Sequence, residues 1–150
     1  MSTGEAKKSA IRVTWPLFIS LTTQYLKNAK EVRAALKKRD LVARLVVEAT
    51  DASPAALLTI KNHDIFVDSL SAEDAKDKTK WDGKISGSAQ MLFYYFTGDL
   101  GLIRPLLFGK LKATRLLNLL KMTFFVKLSQ KVFKHNISFA RAIWGKFKND

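Results

Sequence analysis

At 150 residues the chain is one domain by length, long enough to bury a hydrophobic core, and its hydrophobic (47%) and charged (26%) fractions are ordinary for a globular protein. Its charge balance is not ordinary: 26 Lys and Arg against 13 Asp and Glu give a net charge of +13 and a pI near 10.1. The absence of cysteine excludes disulfides and thiolate metal sites and leaves the redox compartment open, and no uninterrupted apolar run approaches the ~18 residues of a membrane-spanning helix.

Residues 1–12 read as a mobile polar tail. The stretch 16–21 is too short and too hydroxylated for a signal sequence. The last residues, Phe147-Lys148-Asn149-Asp150, match no retention or peroxisomal address, so a cytoplasmic protein is expected. Pro16 suits a first helical turn, and Leu17, Leu21, Tyr25, Ala29, Val32 and Leu36 recur at helical spacing. Lys37-Lys38-Arg39 suits a helix C-terminus, where cations meet the negative end of the dipole. Asp40 breaks the pattern.

Over 41–51 the sequence alternates, with Ala43, Leu45, Val47 and Ala49 facing a core and Arg44, Glu48 and Thr50 facing water, as in a half-buried strand. A second strand is predicted over 55–61, a hairpin turn at Asn62-His63-Asp64 and a third strand over 65–70. The polar stretch 71–80 reads as a loop or short helical turn, and 81–86 as a fourth strand. Ser88 can cap a short helix over 89–96 that Gly98 ends. Pro105 sits early in another short helix, over 102–108, and Gly109 precedes a fifth strand over 110–114.

A long helix is predicted over 116–133. Its apolar residues at 116, 117, 119, 120, 122, 124, 125, 126, 128, 132 and 133 occupy nearly the whole circumference at about 100° per residue. A surface helix needs only one apolar stripe, and each buried Leu or Phe gains roughly 1.5–3 kcal/mol over exposure. Such a helix calls for cover beyond one sheet face: a partner, a membrane or a lipid. The element order gives an α+β domain with a five-stranded mixed sheet covered by helices mainly on one face.

Charge is polarised along the chain. From residue 104 onward there are eleven Lys and Arg (104, 110, 112, 115, 121, 127, 131, 134, 141, 146, 148) against the single acid Asp150, which is +10 of the +13. The acids Asp64, Asp68, Glu73, Asp74, Asp77 and Asp82 gather in the middle instead. The most basic part is also the most apolar.

In Lys84-Ile85-Ser86, the helix from Ser88 to its Thr97-Gly98 end, Pro105 and then Phe108-Gly109-Lys110-Leu111-Lys112 before an apolar helix, the chain resembles the sterol carrier protein-2 (SCP-2) lipid-binding family. The spacing from Thr97-Gly98 to Gly109-Lys110-Leu111-Lys112 matches that family without a gap. The resemblance covers 17–134 and is specific after Trp81. It implies an SCP-2-like domain over 13–134 that binds a fatty acyl, acyl-CoA, phospholipid, sterol or isoprenoid ligand without catalysing its conversion. The chain departs from the family pattern in three places. The short helix starts Ser88-Ala89-Gln90-Met91 without acids, Thr114-Arg115 replaces a Gly-Asp/Asn turn, and a basic segment extends over 135–150.

The candidate lipid pocket is Met91, Leu92, Phe93, Tyr95, Phe96, Leu106, Leu107, Phe108, Leu116, Leu117, Leu120, Phe124 and Phe125, an apolar set in excess of one core face. Simple core packing is the rival account for each residue taken singly. Over 136–148, Ile137, Ala140, Ile143, Trp144 and Phe147 share a helical face, with Arg141, Lys146 and Lys148 elsewhere on the helix. A basic amphipathic helix of this kind either lies on an anionic membrane, with Arg141, Trp144, Lys146, Phe147 and Lys148 in contact, or packs back on the domain. The alternative to a lipid occupant is an interaction module using the same apolar surface for a homodimer or an enzyme partner.

The basic charge also raises nucleic acid, but the basic residues are interleaved with Leu, Phe and Met, and no helix-turn-helix, RNA-recognition or zinc-finger signature is present. His63 and His135 are scattered, the acids at 64–82 lack EF-hand spacing, and the glycines make no phosphate loop. No active site, metal or cofactor is expected.

Overall fold

The computed structural model describes residues 13–97, 104–107, 109 and 111–148, without the side chains at 107, 116, 117 and 148. The tail expected over 1–12, the helix stop at Gly98, and Phe108 and Lys110 lie outside the described residues.

Helix α1 (Trp15–Lys27) starts where the Thr14 hydroxyl accepts the Leu17 N–H and Pro16 occupies the first turn. The helical spacing does not run on unbroken to 39. The Asn28 side-chain amide donates to Gln24 O, the Ala29 N–H closes a tight turn on Leu26 O, and Ala29 is extended before α2 (Lys30–Lys38) begins. Asn offers the backbone a local alternative to the helix, and the chain breaks there. Val32 and Leu36 of the expected stripe are buried, but Leu17 and Leu21 are 44% and 38% exposed; α1 buries Trp15, Phe18, Ile19, Thr23 and Leu26 instead.

Strands β1 (Ala43–Ala49), β2 (Ala55–Lys61) and β3 (Asp64–Leu70) form an antiparallel meander. Asn62 and His63 both take positive φ, 53° and 60°, the geometry of a two-residue hairpin loop between the paired Lys61 and Asp64. Then come α3 (Ala72–Lys76), β4 (Gly83–Gly87), α4 (Ala89–Thr97), α5 (Arg104–Leu107) and β5 (Lys112–Thr114). β4 runs parallel to β1 and β5 antiparallel to β4, giving the mixed order β3-β2-β1-β4-β5. Trp81 precedes β4 rather than belonging to it, and its indole Nε1 donates to Ala75 O of α3.

The long apolar helix is two helices, α6 (Leu116–Leu120) and α7 (Thr123–His135), parted at Lys121-Met122. Met122 leaves helical geometry at φ −102° and ψ 4°, and the Thr123 hydroxyl donates to Leu120 O at the junction. Read in sequence without that break, the two shorter helices give an all-round apolar pattern. α7 alone is amphipathic: it buries Phe125, Val126, Ser129, Val132 and Phe133 and exposes Lys127, Lys131 and Lys134.

Helix α8 (Ile137–Lys148) folds back onto the domain. Ala140 and Ile143 are buried, Trp144 stacks on Phe93 with ring centroids 4.8 Å apart, Phe147 meets Trp15 at 5.6 Å, and Phe139 stacks on Tyr25 at 4.2 Å. Trp144 and Phe147, expected as membrane contacts, are thus turned inward, because the aromatic faces of α1 and α4 offer them a dry surface. Arg141 and Lys146 point to water.

The main core lies between one sheet face (Leu45, Val47, Leu58, Ile60) and α1, α4, α7 and α8. The Trp15 indole ties α1 to the sheet by donating to Val47 O at 3.1 Å. The other face carries a smaller cluster, Val46, Ala55, Leu70, Ala75 and Trp81, under α3.

Candidate functional site

Between the β1–β4–β5 end of the sheet and α4 to α7 lies a cavity of about 780 Å³. Leu45 of β1, Ile85 of β4 and Ala113 of β5 give its sheet wall. Tyr95 and Phe96 of α4, Leu106 of α5, Leu119 and Leu120 of α6, and Val126 of α7 give the helical wall, with Leu111 and Met122 closing the joints. Its polar side chains are few: Tyr95, Thr123, Lys112 and Lys127. Burial pushes the Tyr95 phenol above its usual pKa, which keeps that hydroxyl uncharged. A volume of this size suits one small apolar ligand. The space inside the main core, between α1, α4 and α7, is only about 30 Å³, room for roughly one water and not for a ligand.

Local chemistry builds these walls. α4 carries no acid in its first turn, but the Asp51 carboxylate, from the β1–β2 connection, accepts the Ala89 N–H at 2.9 Å, and the Ser88 hydroxyl accepts the Met91 N–H. The missing helix-start acid is therefore supplied from elsewhere in the chain. At the other end of α4, Ser129 Oγ and Gln130 Nε2 of α7 donate to Phe96 O and Tyr95 O, clamping the two helices together beside the cavity. Gly109 stands at φ 75° with nothing near where a side chain would go, so its glycine is required by backbone conformation rather than by space.

Thr114-Arg115, which replaces a Gly-containing turn, puts Arg115 itself in the left-handed conformation, with φ 60° and ψ 57°. The guanidinium holds it there, donating to Lys78 O and Trp81 O and lying over the Trp81 ring. Asn118 Nδ2 donates to Asp82 O and fixes α6 to the start of β4.

Of the expected pocket residues, Tyr95, Phe96, Leu106 and Leu120 share this cavity. Leu92, Phe93 and Phe125 pack in the main core around Phe18 and Phe133, so a charge placed at Phe125 would test folding rather than the cavity. Met91 is half-buried at the core edge, and Phe124 lies under the Arg39 guanidinium, 4.1 Å from its ring centroid. Leu107, Leu116 and Leu117 have no described side chain, and Phe108 lies outside the described residues. The sequence reading missed the sheet wall and Leu111, Leu119, Met122 and Val126. Strand alternation marks Leu45 and Ile85 as inward-facing, but an inward side chain over a cavity looks the same in sequence as one over packed core.

Among the described residues no helix is long and apolar enough to cross a membrane, and no group of His, Asp and Glu has metal-binding geometry. No family model and no curated protein matches the chain. Among solved structures, a protein described as the ubiquinone synthesis protein UbiJ-SCP2 superposes over 87% of this chain and 93% of its own, with 19% identity and a TM-score of 0.51. The sterol carrier protein domain 2 of Helicoverpa armigera superposes over 76% of this chain and 86% of its own, with 15% identity and a TM-score of 0.54. With its mixed five-stranded sheet and helices mainly on one face, the chain has an SCP-2-like fold.

Proposed function

We propose that this protein is a non-catalytic lipid carrier that holds one fatty acyl, acyl-CoA, phospholipid, sterol or isoprenoid ligand and loads or releases it at anionic membranes, as a peripherally associated cytoplasmic protein. The observation that carries the reading is the apolar cavity of about 780 Å³ at the end of the sheet, with lysines among its few polar wall residues. The names of the structural neighbours, a sterol carrier domain and a ubiquinone synthesis protein, support a lipid occupant. Roughly ten methylenes buried there would supply ~8 kcal/mol, near micromolar affinity, which suits a carrier that must also let go.

The test is native mass spectrometry and lipid extraction of the purified protein, together with displacement of a fluorescent fatty acid. Lipid that co-purifies and competes with the probe is the expected result. Ala113→Phe, which places a ring in the cavity from β5, should lower probe affinity at least tenfold while leaving the circular dichroism spectrum unchanged. A clean extract with no probe uptake would overturn the reading. A stable homodimer with the cavity closed between copies would replace it with an interaction module.

A further inference from the structure

The lip of the cavity carries charge of one sign. Lys112 and Lys127 are wall residues and exposed, and Leu120, also a wall residue, is 47% exposed at the elbow between α6 and α7, followed by exposed Lys121. Lys131 and Lys134 follow Lys127 by four and seven residues, which places all three on one stripe of α7 about 60° wide. None of these lysines has an ion-pair partner among the described residues. No Asp or Glu occurs anywhere in 104–149. An unpaired cationic stripe leading to an exposed leucine at an apolar opening is complementary to lipid phosphates above hydrocarbon. The aromatic face of α8, by contrast, is committed to Phe93, Phe18 and Trp15 and would have to leave them to insert.

We infer that the α6–α7 elbow is the face that meets an anionic bilayer, with Leu120 entering the hydrocarbon edge, the α7 lysines on lipid phosphates and the cavity mouth turned toward the membrane. This inference rests on the lipid-carrier reading above. Its partner is a bilayer containing anionic phospholipid.

The 150-residue chain has no cysteine, so single labels can be placed on it without removing native thiols. Leu120→Cys and Arg141→Cys are each labelled with a polarity-sensitive dye and mixed with phosphatidylcholine vesicles, with and without phosphatidylglycerol. The label at 120 should shift to the blue and be quenched by lipid nitroxides only when phosphatidylglycerol is present, and the label at 141 should not respond. Lys131→Gln/Lys134→Gln should lower partitioning to the anionic vesicles roughly 25-fold. Lys37→Gln/Lys38→Gln on α2, which removes the same charge, should change it by less than about fivefold. A response at 141 in place of 120, equal losses in the two double variants, or RNA displacing the vesicles from the stripe would overturn the inference. Fatty-acid probe uptake in vesicle-free solution is read in parallel on wild type and on Lys131→Gln/Lys134→Gln. Uptake without vesicle docking overturns the docking face alone, and absent uptake overturns the carrier reading whatever the vesicles show.

Discussion

Arg115 holds Trp81 with both ends of its side-chain chemistry: the guanidinium lies 5.3 Å from the ring centroid and donates to the Trp81 carbonyl, while the Arg115 backbone sits in the left-handed region at φ 60°. A non-glycine residue there costs about 1–2 kcal/mol. The side-chain contacts offset that cost and fix the turn from β5 into α6. Arg115→Ala keeps the backbone cost and loses the contacts, so it should destabilise by about 1–3 kcal/mol. Arg115→Gly loses the contacts but relieves the backbone, and should be milder by about 1 kcal/mol. Urea denaturation of the three proteins gives the order; a glycine variant less stable than the alanine variant would contradict this account.

Gly83 carries α6 directly on the sheet. A Cβ added there would meet Leu119 Cδ2 at 2.6 Å and Cγ at 3.0 Å, so Leu119, itself a cavity wall residue, would have to move. Gly83→Ala should cost about 1–3 kcal/mol by overpacking. Leu119→Ala removes the clash along with a wall contact, so the double variant should be more stable than the sum of the singles predicts. Additive losses in denaturant would mean that the helix does not press on the strand.

The parts of this fold that were legible in sequence are those where period and turn chemistry act alone. β1 to β3 follow from alternation and the Asn62-His63 turn, and α4 from Ser88. The second half was legible through Gly109-Lys110-Leu111-Lys112 and its neighbours, of which Gly109 has the positive φ that explains it. The helix breaks at Asn28-Ala29 and Lys121-Met122 were not, because neither involves Gly or Pro and apolar residues continue on both sides. The same blindness made 116–133 look like one helix, when the chain breaks at Met122 and leaves Leu120 exposed at the joint. Cavity and core walls use the same residue types, so Tyr95 and Leu120 could not be told in advance from Leu92 and Phe125.

The start of α4 depends on a residue far away in sequence. Asp51 Oδ1 accepts the Ala89 N–H, where it also faces the positive end of the helix dipole. Asp51→Ala should cost about 0.5–2 kcal/mol, the usual loss for an N-terminal cap. Asp51→Asn keeps an acceptor and loses only the charge, so its cost should be about 0.3–1 kcal/mol and should shrink in high salt. Equal losses for the two variants, independent of salt, would show that the carboxylate acts through packing instead.

Asp82 ties the mouth of β1 to the approach of β4. Burial alone would raise its pKa, but Arg44 outweighs that: its guanidinium donates to Oδ1 at 3.2 Å, its backbone N–H donates to Oδ2 at 2.8 Å, and its charge adds to that of Arg115 nearby. The net effect holds the carboxyl below its ordinary value of 3.8. A depressed folded pKa means that the stabilisation is complete above the unfolded pKa, near pH 4, and is lost as pH falls through the lower folded value. The Asp82 side chain is 38% exposed, so solvent screening keeps the effect small. Subtracting the Asp82→Asn stability curve from that of wild type cancels the general repulsion of a chain at +13. The difference should favour wild type near pH 6, begin to fall below pH ~4, and close toward zero as the carboxyl protonates. A difference that stays constant from neutral pH into strong acid would show that the charge of the carboxylate contributes nothing to stability.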